Sequence, residues 1–334
     1  AANAGSLTLQ SLSLTSEAKW GAYPMYRVYT AGYDLLGQEV EGDNPGFFDG
    51  KPVAQYADTL VNDLFLLNVT NIEAEAALSV NVAMAFYGSL YDMLTSCENN
   101  LVDAAHAGLD KAAAFYVGAD QVPGDSTTGY MLYNLAQFVG ERFNQFNNDG
   151  GDSQVIANAN VVSSLKLIQT HIDGDKCASV LGYTEIRDIV KSLWSYVNQV
   201  LIQMLIHRAK TYTQGKPTDF VELYALALLP QVAVCDSDLF SSLLKYTVTL
   251  NVDSSTESDL FATLQNSYSC FGVTCHQIGA YAENLVPQCD EGGVVSMAGY
   301  VPKWDVRTKA RLDRDVRMIR WMMQFNALDA AMEI

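Results

Sequence analysis

The stretch LYNLAQ (residues 132–137) recurs later in the chain as LYALAL (residues 223–228). The flanks match as well, because LDKAAAFYVG (109–118) precedes the first copy and IHRAKTYTQG (206–215) precedes the second. In both copies a helical pattern ends at a glycine, and a polar loop leads into a second helical pattern. The sequence therefore predicts an internal duplication of a helix–loop–helix unit. The alternative is that two amphipathic helices share Leu-Tyr and Leu-Ala by chance.

Apolar residues at helical spacing predict further helices around these copies. The clearest pattern includes Ile186, Leu193, Val197 and Met204, and Thr184 is the expected cap at its start. Other helical patterns cover 53–64, 72–90, 101–117, 129–146, 221–234, 239–250 and 257–268. We expect a mainly α fold, with duplicated helical-hairpin units in one disulfide-bonded domain.

Three parts of the chain differ in composition. Residues 1–50 form an aromatic N-terminal segment whose SLTLQSLSLT alternation predicts extended structure. Residues 51–298 form the duplicated helical domain, in which the cysteine- and glycine-containing part 270–299 is expected to be irregular. Residues 299–334 form a basic, amphipathic C-terminal segment, expected to be a helix that docks onto its own acidic body or onto a neighbouring copy. The alternatives are a terminal helix with solvated arginines, a calmodulin-target helix and a membrane-surface helix.

The bulk composition excludes some classes of function. The chain has 334 residues, of which 49% are hydrophobic, enough to bury a sizeable core. Its 38 acidic and 20 basic residues give a formal charge of −18, which repels nucleic acid and attracts cations or basic partners. No apolar run reaches membrane-spanning length, so we expect no transmembrane segment and no nucleic-acid partner.

Several features favour an oxidising compartment. The chain begins with Ala-Ala-Asn, as a secretory precursor does after removal of its signal peptide. A glycosylation sequon is present at Asn68. We therefore expect a secreted, extracellular or periplasmic glycoprotein.

An even number of cysteines without a CxxC pair favours three disulfides over a zinc site, although fifteen pairings are open. Cys270 and Cys275 are close enough in sequence to close a local loop. A cytosolic protein with six free thiols is the alternative. The six are Cys97, Cys177, Cys235, Cys270, Cys275 and Cys289.

A candidate metal site lies in DAAHAGLD, where Asp103, His106 and Asp110 share one helical face. Carboxylate and imidazole donors on one face can bind a transition metal such as iron or zinc. A solvated polar face is the alternative. Further candidate ligands in the two copies, or on the helices that follow them, are Tyr116, Glu141, His207, Tyr212 and Glu222.

Motifs for catalysis are absent from the sequence. It contains no GxSxG, GxxxxGK[ST], GxGxxG, HExxH or EF-hand pattern, so we expect a protein that is not an enzyme. An enzyme whose site follows no such motif is the alternative.

The segment LDKAAAFYVG, the Gly-, Ser- and Thr-rich loop and GYMLYNLAQFVGERF together resemble the secreted algal low-iron-inducible, iron-assimilating protein family. That family carries a duplicated unit of Asp, several Ala, Tyr and Gly, followed by Leu-Tyr-x-Leu-Ala. The resemblance spans roughly residues 70 to 290. It implies an all-α, disulfide-bearing protein linked to iron acquisition at an algal cell surface, and it makes the positions of Asp103, Asp110, Tyr116, Glu141, Tyr212 and Glu222 candidates.

The second copy departs from the family pattern, because Ile206 replaces the acidic position and Arg208 lies nearby.

From the resemblance as a whole, the expected function is non-enzymatic binding of a metal ion, iron, at the cell surface. One alternative is a structural subunit of an extracellular assembly or filament, which self-associates through the N-terminal segment and the basic C-terminal helix. The other is the enzyme with an unrecognised site.

Overall fold

The computed structural model describes residues 72–147, 154–212, 219–249 and 257–281, together with Val316 and Ile319. Within these residues the regular structure is helical and no β-strand forms; pairing is limited to isolated bridges, such as that between Phe146 and Val155. This confirms the prediction of a mainly α fold. The N-terminal segment 1–50, the run beginning at residue 53, Asn68 and nearly all of the C-terminal segment lie outside the described residues.

The helices are numbered here in chain order. They are α1 (Ile72–Ala76), a π-helical segment (Ala77–Val82), α2 (Ala83–Glu98), α3 (Val102–Val117), α4 (Leu132–Arg142), α5 (Ile156–Asp173), α6 (Val180–Tyr212), α7 (Asp219–Ala233), α8 (Ser237–Leu244), a second π-helical segment (Lys245–Thr249), α9 (Glu257–Asn266) and α10 (Cys275–Ile278). Two 3₁₀ turns, Lys176–Ala178 and Tyr268–Phe271, precede α6 and α10. None of the helices in the described ranges is long and apolar enough to cross a membrane.

The 33-residue α6 is the central helix, against which α2, α4, α5 and α7 pack. The predicted apolar stripe is buried along it, from Ile186 through Leu193 to Met204. The predicted start was wrong, because the helix begins at Val180 and not after Thr184. Ser179 has extended backbone and its hydroxyl accepts from the Gly182 N–H at 3.0 Å, so Ser179 caps the helix instead.

Helices α2 and α3 form a tight hairpin. A Cβ atom placed on Gly108 of α3 would lie 2.8 Å from the backbone nitrogen of Met93 on α2. Only a glycine allows the two backbones to approach so closely.

Each copy of the duplicated unit contains two successive helices. In the first copy α3 ends at Gly118, which has a φ of +79°, and α4 follows the loop. In the second copy the end of α6 leads through residues 213–218, outside the described ranges, into α7. The Leu-Tyr pairs, at Tyr133 and Tyr224, lie buried on α4 and α7.

Two disulfides are described: Cys97–Cys177 and Cys235–Cys270. Cys275 is also disulfide-bonded, and Cys289 lies outside the described residues. The local Cys270–Cys275 loop considered from the sequence is wrong, because the turn that carries Cys270 packs against the end of α7, where its Cα lies 5.7 Å from that of Cys235. The region predicted to be irregular from residue 270 also contains α10, which begins with a capping box at Thr274.

Candidate functional site

On the predicted metal-binding face of α3, the histidine side chain contacts a carboxylate of a neighbouring helix. Asp103 and Asp110 are exposed. His106 turns towards α5, where its Nε2 lies 3.1 Å from Oδ1 of Asp173. The three side chains share a helical face, as the spacing predicts, but the imidazole pairs with a neighbouring helix.

Tyr116 is fully buried, and its hydroxyl donates to Oδ1 of Asn158 at 2.9 Å. Asn158 in turn donates to the Tyr133 carbonyl and to Oε1 of Gln137. Burial raises the pKa of Tyr116 far above its usual range, so this phenol stays protonated in a neutral, satisfied network. Its position indicates a core tyrosine rather than a ligand.

The remaining predicted ligands are dispersed. Glu141 accepts from the Ser126 hydroxyl and from the Gln137 amide, which ties the loop of the first copy to α4. Glu222 is half-buried on α7, and the side chain of Tyr212 lies outside the described part of the chain. In the described ranges, no group of three or more His, Cys, Asp or Glu side chains is arranged to hold a metal ion.

One predicted residue, His207, lies in a different constellation. It is only 6% exposed on α6, and its Nδ1 lies 2.9 Å from the hydroxyl oxygen of Tyr281. The ring of Phe138 meets the imidazole edge-on at 5.6 Å, and Phe143 meets the Tyr281 ring at 5.4 Å. These aromatic contacts shield the imidazole from water.

A second polar pair lies beside it. The Tyr224 hydroxyl donates to Oε2 of Glu75 at 2.7 Å, and the Arg208 guanidinium binds Oε1 of the same carboxylate. Arg208 also stacks on Phe220, with 4.2 Å between the guanidinium carbon and the ring centroid. These contacts join α1, α6 and α7 at one place.

Glu75, His207, Tyr224 and Tyr281, together with Arg208, form what we call the His207 cluster. The charge of Arg208 acts on the pKa of each of the other four groups. Arg142 lies at its edge and acts on His207 and Tyr281. The cluster thus brings one imidazole, one carboxylate and two phenols within range of a single guanidinium.

Burial is the main cause of the shifted pKa values in the cluster. Burial, assisted by Arg208 and Arg142, lowers the pKa of His207 to about 4, so the imidazole is neutral at pH 7. Burial raises the pKa of Glu75 against the opposing effect of Arg208 and the Tyr224 hydrogen bond. Burial also raises the pKa of Tyr281. A neutral imidazole retains a lone pair, and both phenols retain their protons.

Sequence reasoning found only His207 in this cluster. Glu75 and Tyr281 are separated from their partners Arg208 and His207 by 133 and 74 positions. Neither belongs to the repeated unit. The presence of Arg208 beside His207 was the one local signal of a charged environment in the second copy.

No family model matches the chain, and neither a curated protein nor a solved structure matches it. The structure defines the class of the protein as mainly helical and disulfide-bonded, with a largely buried cluster of ionisable side chains.

Proposed function

We propose that the protein is a secreted, non-enzymatic metal-binding protein that takes up iron at the cell surface, the function implied by the resemblance to the algal iron-assimilating family. The observation that carries this proposal is the His207 cluster. The proposed site therefore lies where α1, α6 and α7 meet, and not on the α3 face of Asp103, His106 and Asp110.

The donor types in the cluster suit iron. Imidazole is a common iron ligand, and tyrosine oxygen binds haem iron in some enzymes. His207 is neutral at pH 7, so its ring nitrogen needs no deprotonation before it binds. Tyr281 and Tyr224 would each lose a proton to solvent on binding a metal ion, because the phenolate is the binding form.

Arg208 sets the electrostatic condition for binding. Its guanidinium already occupies Oε1 of Glu75, and a bound cation would compete for the same carboxylate. The positive charges of Arg208 and Arg142 oppose a bare cation. Binding is therefore coupled to the loss of phenol protons and to release of Glu75 by Arg208.

The proposed location is supported by the covalent structure. Disulfides persist in oxidising compartments, and Cys97–Cys177 and Cys235–Cys270 join distant parts of the described chain. An extracellular or periplasmic site accounts for them directly.

The test begins with protein purified without chelators and separated by size. Elemental mass spectrometry across the eluted peak should show iron near one atom per chain after incubation with ferric citrate. Tyrosine ligation should give a visible phenolate-to-iron absorption band. We expect both signals to be lost in Tyr281→Phe, reduced in His207→Gln and unchanged in Tyr130→Phe, because the Tyr130 side chain is 87% exposed.

Two results would contradict the proposal. A metal-free wild-type peak of high mass would favour the structural-subunit alternative. Iron that is retained in Tyr281→Phe but lost in His106→Ala would place the site on the α3 face instead.

A further inference from the structure

The loop of the first copy, residues 119–131, is held rigidly by side-chain hydrogen bonds. The Gln121 amide donates to the carbonyls of Val122 and Asp125, both at 2.8 Å. From α4, Asn134 donates to the carbonyls of Ser126 and Thr128. These bonds satisfy backbone groups that a loop of this length would otherwise leave to water. The loop therefore needs little ordering on binding.

This rigid loop displays apolar side chains to solvent. Tyr130 is 87% exposed and Val122 is 51% exposed. The Val122 N–H donates to the Thr128 hydroxyl at 3.0 Å, which places the two ends of the loop side by side. A large exposed aromatic residue on a preorganised loop is a favourable centre for a protein interface.

The sequence of this loop and of the residues on either side of it contains no basic residue. No Lys, Arg or His occurs between Lys111 and Arg142, whereas Asp120, Asp125 and Glu141 do occur there. A loop with exposed apolar side chains, in a stretch of chain whose charged residues are all acidic, fits a basic, amphipathic segment.

The chain itself contains such a segment. Residues 301–320 include seven basic residues, Lys303, Arg307, Lys309, Arg311, Arg314, Arg317 and Arg320, and three acidic ones, Asp305, Asp313 and Asp315. Two of its apolar residues are described: Val316 and Ile319 are helical, and Val316 is 54% exposed. About half of the surface of Val316 is therefore accessible to solvent.

We propose that residues 301–320 of one copy dock onto the loop 119–131 of a second copy, with Val316 placed against Tyr130 and Val122. Because the two surfaces are different, the contact is head-to-tail. Repetition of this contact along successive copies produces a ring or a filament. If two copies each place their basic segment on the loop of the other, they form a closed dimer. The overall charge of −18 opposes association of the acidic bodies, which makes the basic segment the part that carries the attraction.

The experiment uses the full chain with its disulfides intact, and measures mass by light scattering over a concentration series. Wild type should exceed the 36.5 kDa of a single chain. Tyr130→Ser and Val316→Ser should each move the association midpoint at least about tenfold higher in concentration. Leu167→Ser, which changes an exposed apolar residue on α5, is the matched control and should behave as wild type. Added NaCl should weaken the wild-type association.

Mixing the two variants gives the decisive result. The Tyr130→Ser copy keeps an intact basic segment and the Val316→Ser copy keeps an intact loop, so the mixture should recover particles of two chains. A mixture that remains monomeric would overturn the proposal, as would a wild type that is monomeric at every concentration or a Leu167→Ser protein that dissociates as readily as Tyr130→Ser.

Discussion

The hydroxyl oxygen of Tyr281 lies 2.9 Å from Nδ1 of His207, which joins the segment after α10 to the buried face of α6. The contact places a titratable imidazole in a site that disfavours its charged form. The stability of the fold should therefore depend on pH through this residue.

The pKa of His207 is lowered to about 4 in the folded chain, against about 6.5 in the unfolded chain. Its neutral form thus contributes stability above about pH 6.5, and that stability is lost as the pH falls from about 6.5 to about 4. The loss should reach about 3 kcal/mol at most. Urea unfolding at pH 7 and pH 4.5 should show it in wild type.

His207→Gln should have a smaller loss of stability between pH 7 and pH 4.5, because its side chain takes up no proton. His106→Gln serves as the control, since His106 lies in a partly exposed pair with Asp173. Glu75 acts in the opposite sense: its raised pKa favours the folded state once the carboxyl is protonated, so Glu75→Gln should steepen the acid loss. Equal pH dependence in wild type and His207→Gln would show that His207 is not shielded as described.

The ion pair between Glu75 and Arg208 should behave as a coupled unit. Arg208→Met leaves the Glu75 carboxylate in a largely buried place with only the Tyr224 hydroxyl, and should cost about 2–3 kcal/mol of unfolding free energy. Glu75→Gln removes the charge but keeps an acceptor for Tyr224, and should cost less. The double variant should lose less than the sum of the two single variants, as measured by denaturant unfolding in a double-mutant cycle. Additive losses would mean that the two groups do not interact.

The fold could be predicted further than the site, for a physical reason. The buried face of α6 is formed by apolar residues that recur at helical spacing, so Ile186, Leu193 and Met204 could be placed on one face from the sequence. The start of that helix was missed because Ser179 and Thr184 are both acceptable caps, and only the backbone conformation of Ser179 selects between them.

The candidate site depends on contacts that local spacing does not contain. The spacing of Asp103, His106 and Asp110 correctly describes a shared face, but it says nothing of α5, whose Asp173 meets the imidazole. The partners of His207 and Arg208 are Tyr281 and Glu75, which lie near the end and the beginning of the described sequence. Such pairings are decided by helix packing, which one sequence does not reveal.

The two described disulfides should stabilise the fold to different degrees. Cys97–Cys177 closes a separation of 80 residues and Cys235–Cys270 one of 35. The loop-entropy relation gives roughly 4.5 and 3.8 kcal/mol for them, so the longer loop should matter more. Paired alanine variants, compared by thermal unfolding, check the order. Peptide mapping without reduction checks the pairing itself, and a Cys270–Cys275 peptide would contradict it.

The close approach of α2 and α3 predicts an asymmetry between two glycines. Replacing a glycine in the interior of a helix with alanine normally stabilises the protein by up to about 1 kcal/mol. At Gly108 the new Cβ would lie 2.8 Å from the backbone of Met93, which moves only with the whole helix, so Gly108→Ala should instead cost about 1–3 kcal/mol. At Gly140 the new Cβ would lie 2.8 Å from both Cβ and Cγ1 of Val155, of which only Cγ1 can rotate away, so Gly140→Ala should also be destabilising, though by less than Gly108→Ala.

The double variant Gly140→Ala, Val155→Ala tests this explanation. Val155→Ala removes the contacts with Cγ1 and Cγ2 but keeps the one with Cβ, so the alanine at 140 should cost less in the Val155→Ala background than in wild type without becoming neutral. No nearby side chain can be trimmed to relieve Gly108→Ala, because the obstructing atoms are the backbone nitrogen and Cα of Met93. Urea unfolding measures the stability of wild type, of the three single variants Gly108→Ala, Gly140→Ala and Val155→Ala, and of the double variant. Ala104→Ser serves as an exposed control on α3. A Gly108→Ala protein as stable as wild type would show that α2 and α3 lie farther apart than the structure places them.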